Sequence, residues 1–238
     1  MHEASLARRA TAEAVGTALL AAIVVGSGIA ASRLSPDLGL QLLVNSLATG
    51  AGLVALILAF GSISGAHLNP IVTMADRMLD GMSSRDAGVY AVVQVIGACV
   101  GTIVANLMFD LPAISISTND RASGAHWLGE VVAAFGLLLV VLGVVRAGRA
   151  TATAFAVGGY IAAAYWFTSS TSFANPAVTI ARTLTDTFAG IAPEAVPGFV
   201  LAQVLGAILA VVLARFLFID FVDVPAAGLV VPHDEPTT

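Results

Sequence analysis

A helix start that occurs twice constrains this chain more than anything else in it. Asn175-Pro176-Ala177-Val178-Thr179-Ile180-Ala181 repeats Asn69-Pro70-Ile71-Val72-Thr73-Met74-Ala75, with changes only at the third and sixth places. In each copy the asparagine side chain can cap the first turn. Proline is preset for the first helical position, where its missing N–H costs nothing. Neither apolar run is long enough to cross a bilayer core of about 30 Å. The second is stopped by Arg182, and the first fades at Asp76, Arg77 and Asp80.

Around these starts the chain is 58% hydrophobic and 11% charged, with a mean hydropathy of +0.94. A soluble domain carries about 25% charged residues, so this composition belongs to an integral membrane protein. The net charge of -5 argues against nucleic acid and supplies no polybasic tail for anionic lipid. The single cysteine, Cys99, excludes an internal disulfide and reads as a packed thiol in an apolar run.

Apolar runs predict spans over about 10–31, 38–60, 87–109, 127–145, 150–167 and 196–218. The first is longer than a signal-peptide core of about 7–15 residues, so it is read as a retained span. A Gly/Ser-rich loop, 61–67, leads into the first Asn-Pro helix, and a polar connection over 110–125 divides the chain. The tail from Asp220 is acidic, contains proline and is expected to be disordered. With the N-terminus inside, the inner side holds Arg8, Arg9, Arg77, Arg85, Arg146, Arg149 and Arg215, and the outer side only Arg33, Arg121 and Arg182. That bias puts both termini in the cytoplasm.

The halves repeat beyond the Asn-Pro motif. Glu13 near the start of the first span answers Glu130 near the start of the fourth. Gln94-Val95-Ile96-Gly97-Ala98 answers Gln203-Val204-Leu205-Gly206-Ala207. Three spans per half is an odd number, so the second copy enters the membrane inverted, and a substrate path is expected near the midplane between copies. The expected fold is an all-α membrane protein: one channel domain over 1–238, with repeats at about 8–109 and 127–219. Six transmembrane helices are joined by two re-entrant half-helices whose Asn-Pro ends meet at mid-depth. Irregular backbone there is tolerated only inside protein or along a water-filled cavity. Two helix N-termini aimed at one place make it positive, which repels cations, while Asn69 and Asn175 offer hydrogen bonds to a neutral solute. The residues alone point to a pore for small uncharged solutes.

Ser64-Gly65-Ala66-His67-Leu68-Asn69-Pro70, the second Asn175-Pro176-Ala177, the paired Glu13 and Glu130 and the six spans together resemble the aquaporin (major intrinsic protein) family over essentially the whole chain. That resemblance implies a right-handed six-helix bundle, one pore per subunit and a homotetramer in the cell's inner membrane. It gives Asn69 and Asn175 the midplane hydrogen-bond role. It makes Glu13 and Glu130 buried acids that orient the re-entrant loops, the alternative being carboxylates snorkelling near span ends. His67 is placed on a pore-facing or purely structural loop, and Ile71 stands where the motif usually has alanine.

The departure lies in the outer constriction. The family usually has an arginine three residues after the second asparagine, and here that place is Val178. The other constriction places, carried over by spacing, fall on Thr49, Ala163 and Ser172. A wide, uncharged, mildly polar filter is expected. Arg182, four residues past Val178, is expected to snorkel outward, with lining of the vestibule as the alternative. Valine in the arginine's place is similar to a bacterial subgroup of the family associated with arsenic resistance. That implies glycerol and neutral metalloid acids such as arsenous and antimonous acid as solutes. A water-selective channel is the nearer alternative, and an ion-coupled secondary transporter the more distant one. No nucleophile–base pair, metal cluster or phosphate loop is visible, so neither an enzyme nor a cofactor is expected.

Overall fold

A computed structural model describes residues 4–218 of the chain, so the tail expected from Asp220 lies outside the described residues. Within a bilayer every backbone group must be paired internally, and the long apolar runs therefore become helices. They are α1 (Leu6–Leu34), α2 (Leu38–Ser64), α4 (Ser84–Met108), α5 (Gly124–Arg146), α6 (Thr153–Phe167) and α8 (Val196–Leu217), with the short α3 (Pro70–Met78) and α7 (Pro176–Ala181) between them. Polar caps fix several starts. Asp37 accepts from the Leu40 N–H at 2.7 Å, Ser83 from Asp86 at 3.1 Å and Ser123 from His126 at 3.2 Å.

Among the described residues, α1, α2, α4, α5 and α8 are long and apolar enough to cross a membrane. With its 15 residues α6 is shorter, but a 3-10 turn, Ala150–Ala152, leads into it. Together they reach about 28 Å at helical rises, close to the thickness of the apolar core. The described residues thus form an all-helical fold, with six crossings and two half-helices.

Packing follows the repeat. In the first half α1 lies against α4, and in the second α5 lies against α8. A β-carbon on Gly97 would run into the Ala14 carbonyl, and one on Gly206 into the Val131 carbonyl. The same glycine in each repeat therefore lets two backbones touch. The seam between halves is made by α2 and α6, where Gly50 and Gly158 face each other's carbonyls. Both half-helices are wedged against α4 and α8, so each is gripped by its own repeat and by the other.

Candidate functional site

The segments that enter the half-helices have the same unusual backbone. Gly65, Ala66 and Leu68 have φ of 83°, 46° and 49°, and their repeat partners Thr171, Ser172 and Ala174 have 61°, 51° and 45°. Non-glycine residues in this region cost about 1–3 kcal/mol each, so something must hold them. A buried carboxylate does so in each half. Glu13 accepts from the His67 N–H at 2.9 Å and the Leu68 N–H at 2.6 Å, and Glu130 from Phe173 at 2.8 Å and Ala174 at 2.9 Å. Both glutamates are 0% exposed, which sets the snorkelling alternative aside. Ser64 Oγ also donates to Glu13, at 2.6 Å. Gln94 links Glu13 to Thr73 of α3, and Gln203 links Glu130 to Thr179 of α7. The two glutamines stood out in the sequence only as marks of the repeat.

Asn69 and Asn175 cap their half-helices through the side-chain oxygen, which accepts from Ile71 N in one and from Ala177 N and Val178 N in the other. Their amide nitrogens cross over. Asn69 Nδ2 donates to the Ala174 carbonyl at 2.7 Å, and Asn175 Nδ2 to the Leu68 carbonyl at 2.8 Å. Each half-helix is thereby tied to the loop that launches the other.

Both asparagines line one cavity of about 50 Å³ between the repeats. Ligand pockets commonly run to about 300–1,000 Å³, so this is a slender path rather than a chamber. Much of its wall is apolar, with Leu53, Ile57 and Val72 from the first repeat and Leu137, Val141 and Ile161 from the second. The polar side chains in the lining are His67, Asn69, Asn175, Ser172, Thr49, Tyr165 and Arg182. His67 Nδ1 lies 3.1 Å from Thr73 Oγ1, and its ring meets Tyr90 edge-on at 5.5 Å. Ile71 is buried in the core away from the lining, and its neighbour Val72 lines the path instead. Among the described residues no group of three or more His, Cys, Asp or Glu stands close enough to hold a metal.

At the Arg182 end the structure corrects two expectations. Ala163 is exposed on the outside of α6 and takes no part in the lining. Two residues along a helix is a rotation of about 200°, and Tyr165 stands in the cavity in its stead. The Tyr165 hydroxyl bridges to Thr49 Oγ1 at 3.1 Å. The second correction is Arg182, which does not snorkel. It is 2% exposed and lines the same cavity as Val178. Its Nε donates to the Ala189 carbonyl, and its guanidinium lies 3.4 Å from the Phe173 ring centroid. This end of the cavity is therefore not free of arginine, which stands four residues past Val178. Ser172 Oγ, buried in the same lining, meets no hydrogen-bond partner among the described residues.

Arg121, which the sequence marks only as an outer basic residue, belongs to the same end. It sits in the connection between α4 and α5, with its guanidinium 5.2 Å from the same Phe173 ring. Its Nε donates to Gly190 O at 3.1 Å and its Nη2 to Phe188 O at 3.5 Å. No periodicity in that polar stretch signals it.

Comparison with known proteins agrees with the fold. The family described as major intrinsic protein matches residues 1–163. The chain is 51% identical over 217 residues to the aquaglyceroporin AqpS of Rhizobium meliloti (strain 1021), covering 91% of this chain and 93% of that one. It is 30% identical over 241 residues to the aquaporin AqpM of Methanothermobacter marburgensis, covering 90% and 98%. The X-ray structure of the aquaglyceroporin from Plasmodium falciparum matches with a TM-score of 0.70 at 21% identity, over 91% of this chain and 99% of that one, and so shares the fold.

Proposed function

Since the chain belongs to the major intrinsic protein family, we propose that it is a facilitated-diffusion channel passing glycerol and trivalent metalloid hydroxides, arsenous and antimonous acid among them, together with water. The coarser part of that statement is the family's own: a multi-pass membrane channel for small neutral solutes, and not an enzyme. The finer part rests on the lining at the Arg182 end. Val178 leaves the usual arginine place aliphatic, and three hydroxyls (Thr49, Tyr165 and Ser172) stand in the same cavity with the guanidinium behind them. A solute bearing several hydroxyl groups can accept from Arg182 and exchange hydrogen bonds with the hydroxyls, replacing its water shell as it passes. Cations meet two helix N-termini and a buried guanidinium, and are turned away.

The relative named as an aquaglyceroporin supports glycerol as a solute. The arginine distribution supports cytoplasmic termini, which places the Arg182 end outside, and the inner membrane is the assigned location. A homotetramer, one pore per subunit, is the assigned assembly. The test is uptake of glycerol and arsenite by cells lacking their own channels, beside water flux. Uptake of both above a vector control is expected, unchanged when the proton gradient is collapsed. High water flux with neither solute above control overturns the proposal in favour of a water-selective channel. Uptake that collapses with the gradient overturns it in favour of a coupled transporter.

A further inference from the structure

We infer that Arg121, which stands outside the cavity, is the positioning residue for Arg182, and that the two arginines act on solute selectivity as one unit. Arg182 is a buried cation with no ion pair among the described residues. Its place is set by its bond to the Ala189 carbonyl and by the Phe173 ring beneath it. Arg121 flanks the first support and touches the second. It grips the carbonyls of Phe188 and Gly190, on either side of Ala189, and lies against the same ring. Its planar fork thus holds the short stretch whose middle carbonyl receives Arg182.

The surroundings separate this role from general support of the fold. The segment carrying those carbonyls has its own anchors: Asn119 Nδ2 donates to Thr187 O at 2.7 Å, and Asn119 O accepts from Ala192 N at 2.8 Å. Phe173 is fixed through its N–H on Glu130 and by edge contact with Phe199 at 5.1 Å. Removing the Arg121 fork therefore unties the Phe188 and Gly190 carbonyls, while the Gly190 N–H on Thr187 O at 2.8 Å and the Asn119 anchors remain. What it changes is the footing of the Ala189 carbonyl that aims Arg182.

This inference rests on the channel reading, and its test separates the two. Wild type, Arg121→Gln, Arg121→Lys, Arg182→Gln and the double variant Arg121→Gln/Arg182→Gln are reconstituted into phosphatidylcholine–phosphatidylglycerol vesicles. Glycerol and water permeabilities are read for each, with a thermal midpoint in detergent. Arg182→Gln should lower the glycerol-to-water ratio several-fold, and Arg121→Gln should lower it comparably. The double variant should match Arg182→Gln alone, because a positioning residue has nothing left to position. Arg121→Lys, which keeps the charge and loses the fork, should remain shifted, and it answers the question if the glutamine variant fails to fold. Effects that multiply in the double variant, a wild-type ratio in Arg121→Lys, or an unchanged ratio in either single glutamine variant overturn the inference. Wild-type fluxes no higher than those of empty vesicles would instead overturn the channel reading itself.

Discussion

Glu130→Gln puts the proposed support of the second re-entrant loop to a quantitative test. The carboxylate accepts from Phe173 N, Ala174 N and the Gln203 amide in a fully buried position. Glutamine keeps the volume and turns one acceptor into a donor. At the Oε1 place the new NH₂ faces the Phe173 N–H. At the Oε2 place it faces Ala174 and the Gln203 amide, and Gln203 can turn over because its Oε1 has no partner among the described residues. In both cases one buried backbone N–H is left unmet, at about 1–3 kcal/mol. The two surviving bonds lose their charge assistance, at about 0.5–1 kcal/mol each. The total is about 2–5 kcal/mol, which for a chain of this size lowers the thermal midpoint by about 4–20 °C. Melting in detergent, followed by tryptophan fluorescence, measures it, with the exposed Glu194→Gln as the control. A midpoint within about 2 °C of wild type would refute the claim that this carboxylate holds the loop.

Four further outcomes are expected. Thr171, a β-branched residue at a φ of 61° where its repeat partner is Gly65, should be relieved by Thr171→Gly; a midpoint gain equivalent to about 0.5–1 kcal/mol remains after glycine's entropy is subtracted, and a loss would contradict the strain. Gly97→Ala puts a β-carbon 3.0 Å from the Ala14 carbonyl carbon and should destabilise by about 1–3 kcal/mol. The exposed Gly88→Ala, with nothing within 4 Å, should be neutral or mildly stabilising in the same melts. Val178→Arg adds a second guanidinium to the lining and should cut glycerol flux well before water flux in vesicles; equal loss of both would point to misfolding.

The half-helices were legible because Asn-Pro followed by a short apolar run has few other readings, and the long spans because their apolar runs are long. The constriction was less so. Thr49, Ser172 and Val178 were placed by spacing, as was Ala163, but spacing counted across a broken helix does not set the rotation of α6. The period of α6 carries that information: Val157, Ile161 and Tyr165, four apart, all face the cavity. Arg182 could not be oriented from sequence because its supports, Ala189 and Phe173, come from separate loops. Arg121 reaches the same ring from a third loop, where no pattern marks it.

The crossed asparagine bonds bear on biogenesis. While only the first repeat has emerged from the ribosome, Asn69 lacks the Ala174 carbonyl and Leu68 O lacks the Asn175 amide, deep in a lipid phase that offers no substitute. The leading half can thread its crossings but cannot seat α3. Translation must pass Asn175, and that residue must enter from the opposite leaflet, before either inlet is finished. A nascent chain arrested ahead of Asn175 would span the membrane and have no conduit.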